Sequence, residues 1–173
     1  MSKAVLLPIW PKWCELIASG EKTIEVRKTR PKQESPFKCF IYCTKPSFPH
    51  EDFFVFDAGT GKAKAFYGGG KVIGEFVCDR VFDIEFDEDE GYNETYTPLG
   101  FHDCLTDEEF DRYLGAKAGA GWHISDLVIY DEPKKLSDFR LYNTSAVIEH
   151  GLPMPTHEIR RPPQSWCYVE ESV

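Results

Sequence analysis

The apolar segments of this chain are the length of strands, and glycine and proline cut them short. "AVLLPI" at 4–9 is bounded by Pro8 and Pro11, "FKCFIYCT" occupies 37–44, and "KVIGEFVCDRVFDIEF" runs from 71 to 86. Short apolar, β-branched and aromatic runs between turn formers read as strands, and Gly74 inside the longest marks a bend or bulge. "GWHISDLVIYDEP" (121–133) and "SWCYVEE" (165–171) read as further strands, with a helical turn around Leu136 to Phe139. Two segments read as helices. "PKWCELIASG" (11–20) has Pro11 in its first turn, Trp13, Leu16 and Ile17 at helical spacing, and Gly20 as its stop. "LTDEEFDRYLG" (105–115) carries Thr106 as cap, Glu109 as its capping-box partner and Gly115 at the end. Strands and short helices in mixed order predict an α+β, mainly β domain: a small β-barrel or highly curved sheet with short helices at its ends.

Composition narrows the class further. A chain of 173 residues, 42% hydrophobic, buries one ordinary core, so a single domain over 1–173 is expected. No stretch approaches the roughly 18 apolar residues of a membrane helix, and the first residues are too soon broken by prolines for a secretory signal. A cytoplasmic location without a membrane partner is the expectation. Six cysteines form no CxxC pair and read as reduced, mostly buried thiols. His102 and Cys104 have metal-ligand chemistry without a second matching pair, so no metal or other cofactor is expected.

The formal net charge is −9, yet it is unevenly spread. Residues 79–111 hold 13 acidic side chains and one basic one, whereas residues 1–48 hold nine basic and four acidic. A sequence pI near 5.0 argues against broad, non-specific nucleic-acid binding, but a small basic site remains open because local fields govern a binding patch. The acidic stretch "FDEDEGYNETY" (86–96) reads as a solvated loop. "AGTGKAKAFYGGGK" (58–71) departs from a phosphate loop twice, with Phe56 at the first glycine position and Ala63 at the hydroxyl position, and reads as a flexible hairpin.

Between the first helix and the next strand lies "SGEKTIEVRK" (19–28), where charged and apolar residues alternate. Ile24 and Val26 share one face with Lys22 and Lys28 at its ends; Thr23, Glu25 and Arg27 share the other. Glu25 and Arg27 are close enough to pair with each other or to share a ligand. The order strand, helix, Gly20-x-Lys22, then strand with Glu25-x-Arg27 resembles the signature of ASCH domains, a branch of the PUA-like fold. "FIYCTKP" (40–46) is similar to the family's second core strand, "KVIGEFVCDRV" (71–81) to its Gly-Glu strand, and 122–139 with 161–171 to the closing part of many bacterial and phage members. The segments 49–70 and 85–100 look like local insertions.

That resemblance implies a β-barrel with a cleft beside the helix that binds RNA or a nucleotide. In that cleft Lys22 meets a phosphate or carbonyl oxygen, Arg27 forks onto a phosphate or base edge, and Glu25 accepts from an exocyclic amine. Lys28 and the pair Arg160 and Arg161 add positive charge. Tyr42 and Thr44 lie on the same strand face, and Tyr42 is either a base-stacking aromatic or core. Trp10, at the helix entrance, either lines the cleft or packs. His123 and Ser125 alternate on a strand that the resemblance places near it. Some family members are amidohydrolases acting on acylated cytidines, and others are ribonucleases. The amidohydrolases carry a nucleophilic threonine where this chain has Glu25, and a carboxylate does not inherit that role. A ribonuclease reading requires Lys22, Glu25, His123 and Ser125 to converge. A third reading leaves the cleft aside and docks a basic protein on the acidic segment 83–111.

Overall fold

The structure, a computed structural model, describes residues 2–45, 53–57, 62–66, 68–142 and 158–171, with the backbone alone for 53–57 and 62–66. Among these residues eleven strands and two α-helices follow in the order β1 (Lys3–Ile9), α1 (Pro11–Ala18), β2 (Ile24–Arg27), β3 (Phe37–Cys43), β4 (Phe53–Asp57), β5 (Lys62–Phe66), β6 (Lys71–Cys78), β7 (Val81–Asp87), β8 (Gly91–Glu94), α2 (Asp107–Leu114), β9 (Gly119–His123), β10 (Ser125–Lys135) and β11 (Cys167–Glu170). Short 3-10 turns lie at Thr97–Leu99 and Leu136–Asp138. One sheet has the order β10-β6-β3-β1-β11, a second the order β2-β9-β7-β8, and β4 and β5 pair with each other. β1 and β3 run parallel, joined through α1 and β2, while the other pairs are antiparallel.

In the five-stranded sheet β1 and β3 are buried on both faces, which is why β1 reads as an unbroken apolar run. Val5, Leu7 and Ile9 face the space between the sheets with Ile17 of α1 and Trp122 of β9; Ala4 and Leu6 face the other way, toward Phe40, Phe139 and Ile159. A third cluster lies on the outer face of the second sheet, where Ile24, Val26 and Ile84 pack beneath Tyr96, Phe110 and Leu114. In β9 the side of Gly121 is filled by the Tyr96 ring, so close that a Cβ would stand 2.8 Å from it.

Several boundaries differ from the sequence reading. The run 71–86 is two strands, because at Asp79–Arg80 the chain leaves the first sheet for the second; β9 and β10 make the same change at Ile124, splitting 121–133. Neighbouring antiparallel strands thus bend together, as at the corners of orthogonally packed sheets. The irregularity expected at Gly74 is present, with a register shift opposite Ile41 and Tyr42. The acidic stretch 86–96 is a hairpin rather than a loop, β7 pairing with β8 across a turn at 88–90. In the hairpin expected within 58–71, β5 is paired, while 58–61 and 67 lie outside the described residues. Strand pairing does not close into a barrel among the described residues; the fold is mainly β with two short helices.

Candidate binding cavity beside the first helix

A cavity of about 530 Å³ lies between the end of β1, α1, β2 and α2. Its floor is made by β2, whose register puts Glu25 opposite Trp122 and Arg27 opposite Ala120, both facing inward. Ile24 and Val26 are turned outward beneath α2. The charged half of the alternation therefore faces the molecular interior, and its apolar half anchors the helix.

Lys22, Glu25 and Arg27 are all buried, at 2%, 6% and 6% exposure. One Glu25 oxygen meets Arg27 Nη2 at 2.9 Å, and the other lies 3.5 Å from Lys22 Nζ. Lys22 also donates to the Asp103 carbonyl and stands 5.1 Å from the centre of the Trp13 ring. Arg27 donates to the carbonyls of Pro8 at 2.9 Å and Ser165 at 3.3 Å. It ties β2, the end strand of the second sheet, to Pro8 of β1 and to Ser165 just ahead of β11. Its Nε is buried without a hydrogen-bond partner among the described residues.

The lysine is held by the segment after the 3-10 turn at Thr97–Leu99. His102 O accepts from the amides of Thr23 and Ile24, and the Asp103 carboxylate accepts from Tyr96 Oη and Leu105 N. Above the floor, Lys12 of α1 and Glu109 of α2 form a 2.7 Å ion pair across the cavity. Hydrogen bonds from Lys12 and Thr106 hold the Glu109 carboxyl below the usual carboxylate range. Burial pushes the Tyr113 phenol up, with Arg27 opposing. Trp10 stands at the rim, 71% exposed. The charged lining comprises Lys12, Lys22, Arg27 and Arg112 against Glu25 and Glu109, a positive excess within an acidic chain.

Of the residues singled out from sequence, Trp10, Lys22, Glu25, Arg27 and Thr44 line this cavity. Lys28 is exposed just outside it, 5.3 Å from the centre of the Tyr113 ring. Tyr42 does not reach it: the ring is buried in the cluster of Leu6, Phe40 and Phe139 on the far face of the sheet, while Thr44, past the strand end, turns toward the cavity. His123 pairs in register with Ile24, opposite to the face of Glu25; its Nδ1 lies 2.5 Å from Asp79 and its ring packs on Phe101. Ser125 donates to the Val77 carbonyl at 2.8 Å. The convergence required of Lys22, Glu25, His123 and Ser125 is thus absent. Arg160 and Arg161 are exposed, and it is the following Pro162, Pro163 and Gln164 that line the cavity. Sequence reasoning missed Lys12, Trp13, Glu109, Arg112 and Tyr113; the spacing of the last three on one face of a well-capped helix was the available signal. Among the described residues no group of three His, Cys, Asp or Glu is placed to hold a metal, and no helix is long and apolar enough to cross a membrane.

No family profile matches the sequence, and no curated protein matches it. Solved structures do match. ASCH from Zymomonas mobilis superposes with a TM-score of 0.58 at 17% identity, over 97% of this chain and 88% of that one. A tyrosine-to-phenylalanine variant of the same protein gives 0.60 at 17% identity over 98% and 92%, and a serine-to-alanine variant 0.59 at 16% over 97% and 89%. At these identities the likeness speaks for architecture, and it extends over nearly the whole of both chains: this chain has the ASCH-domain fold.

Proposed function

We propose that the chain binds a nucleotide, free or within single-stranded RNA, in the cavity between α1, β2 and α2. One observation carries the reading: three charged side chains are buried together at the floor of a cavity with aromatic walls. Burying such a group stabilises a fold poorly, because desolvation offsets much of the Coulomb gain. At a cavity it supplies fixed donors and acceptors to a polar planar ligand, and Trp10, Trp13 and Tyr113 supply faces on which a base can stack. In this reading the two sheets act as an incompletely closed PUA-like barrel. Six free cysteines fit a reducing, cytoplasmic setting.

Binding is favoured over hydrolysis by how the charged groups are used. Glu25 is shared between two cations, and Lys22 is held by the Asp103 carbonyl. Ser125 and His123 are engaged elsewhere.

The test is titration of the purified protein with nucleoside monophosphates and short single-stranded RNA, with mass spectrometry of the same mixtures and of acylated nucleosides for any product. Wild type is expected to bind without turnover, Lys22→Ala to lose at least tenfold in affinity, and Trp10→Ala to lose about ten- to a hundredfold, as for one stacked base. Trp10 is exposed, so its variant folds whatever the fate of the lysine variant. Unchanged binding in Trp10→Ala and Lys22→Ala would overturn the assignment, and a Lys22-dependent product would replace it with an enzyme.

A further inference from the structure

A second hollow, of about 510 Å³, is lined by Arg30, Lys32, Gln33, Glu34, Arg80 and Phe82 among others. Three cations face one anion there. Arg30 is paired with Asp83, whereas Lys32 and Arg80 are exposed. The Gln33 side-chain nitrogen is buried with no hydrogen-bond partner among the described residues, a donor left for an incoming acceptor.

The hollow is connected to the cavity by a continuous series of contacts. Ser165, whose carbonyl receives Arg27, adjoins Gln164 of the cavity lip. The next residue, Trp166, is half-buried and donates through Nε1 to Thr29, two residues beyond Arg27. Trp166 packs edge-on against Tyr168, with ring centres 5.2 Å apart. The Tyr168 hydroxyl accepts from the Lys32 amide, and Lys3 Nζ lies 4.2 Å from its ring centre. Two partly exposed aromatic rings therefore run between two basic depressions. That alternation of stacking faces and cations suits a sugar–phosphate chain with unstacked bases.

We infer that the second hollow is a phosphate site for a polynucleotide single strand whose one nucleotide occupies the first cavity, the strand crossing Trp166 and Tyr168 between them. The inference rests on the nucleotide reading of the cavity. It distinguishes the ligand as a chain rather than a mononucleotide, and assigns Lys32 and Arg80 as contacts to its backbone.

The experiment measures the affinity of the full chain for uridylate and adenylate chains of one to six nucleotides, as RNA and as DNA, over a series of salt concentrations. Affinity is expected to rise at least tenfold once the strand is long enough to reach the hollow. In a Lys32→Ala, Arg80→Ala double variant that gain disappears while mononucleotide affinity is unchanged. The slope of log affinity against log salt falls by about 1.4, near 0.7 for each phosphate contact to a single strand. Both side chains are exposed, so the variant folds. A ribose-dependent gain identifies RNA, and an equal gain identifies either single strand. Lys22-dependent mononucleotide binding with no gain in length, or a gain untouched by the double variant, overturns the second site and leaves the cavity reading standing. Strand binding that depends on Lys32 and Arg80 but not on Lys22 overturns the cavity reading instead, and absence of binding to any chain overturns both.

Discussion

Glu25 neutralises two cations that the fold has taken out of water, and this makes it the most consequential single side chain of the cavity. Glu25→Gln leaves Lys22 and Arg27 buried with neither paired to a carboxylate. Removing one partner of a buried ion pair costs about 3–5 kcal/mol, and urea unfolding of this variant is expected to show a loss of that order. Glu75 offers a pH test away from the cavity. Burial by itself would raise its carboxyl, but hydrogen bonds from Tyr130 at 2.5 Å and Lys38 at 2.9 Å outweigh burial and lower it. A carboxyl lowered in the folded state stabilises the fold above its unfolded value, about 4.3, and that contribution is lost as pH falls through the folded value. The melting-temperature gap between wild type and Glu75→Gln is therefore expected at pH 7 and should close below pH 4. A gap that persists in acid would assign the effect to packing. That Glu25 and Arg27 form a polar pair was legible from their alternation with Ile24 and Val26; that Lys22 joins them was not, because its parity puts it with Ile24 and Val26 and it precedes the strand. That Tyr42 belongs to a core cluster was not, because an amphipathic aromatic on a strand buried on both faces looks the same in sequence as one lining a cleft.

α2 shows the opposite case, an element written plainly in the sequence whose role was not. Its capping box is present as expected, with Glu109 N donating to Thr106 Oγ1 and Thr106 N to Glu109. Thr106→Ala should cost about 1 kcal/mol, which is about 2–4 °C in melting temperature for a domain of this size. The same carboxylate receives Lys12, so the cap also holds one wall of the cavity. In β6, a Cβ on Gly74 would stand 2.3 Å from the Val128 carbonyl, a backbone atom that cannot swing aside. Gly74→Ala is expected to destabilise by about 1–3 kcal/mol through forced separation of β6 and β10, checked by chemical denaturation. The division of 71–86 escaped a local reading because the only local sign is one polar pair, Asp79-Arg80, between two strand-like runs, and the change of sheet depends on β9 and β10 bending alongside. The hairpin at 84–94 escaped it because acidic residues conceal the apolar pairing of Phe86 with Tyr92.

Across the molecule, the acidic surplus and the basic cavity occupy the same chain without contradiction. Arg27 and the hydrogen-bonded corner at 78–81 and 123–125 tie the two sheets together, so the chain is expected to unfold as one unit. Tryptophan fluorescence and far-ultraviolet circular dichroism should then give coincident thermal transitions, and separate ones would reveal two domains. Strand and helix content, the helix caps and the polar character of 22–27 followed from the sequence because each depends on neighbours within a turn or a strand. The partners of those residues did not. Asp103, Glu109, Tyr113 and Ser165 reach Lys22, Lys12 and Arg27 only because two sheets turn a shared corner and α2 folds back over β2. Which charges are buried, which aromatics face a cavity and whether two basic depressions lie on one path are properties of non-local packing, and tertiary structure alone decided them.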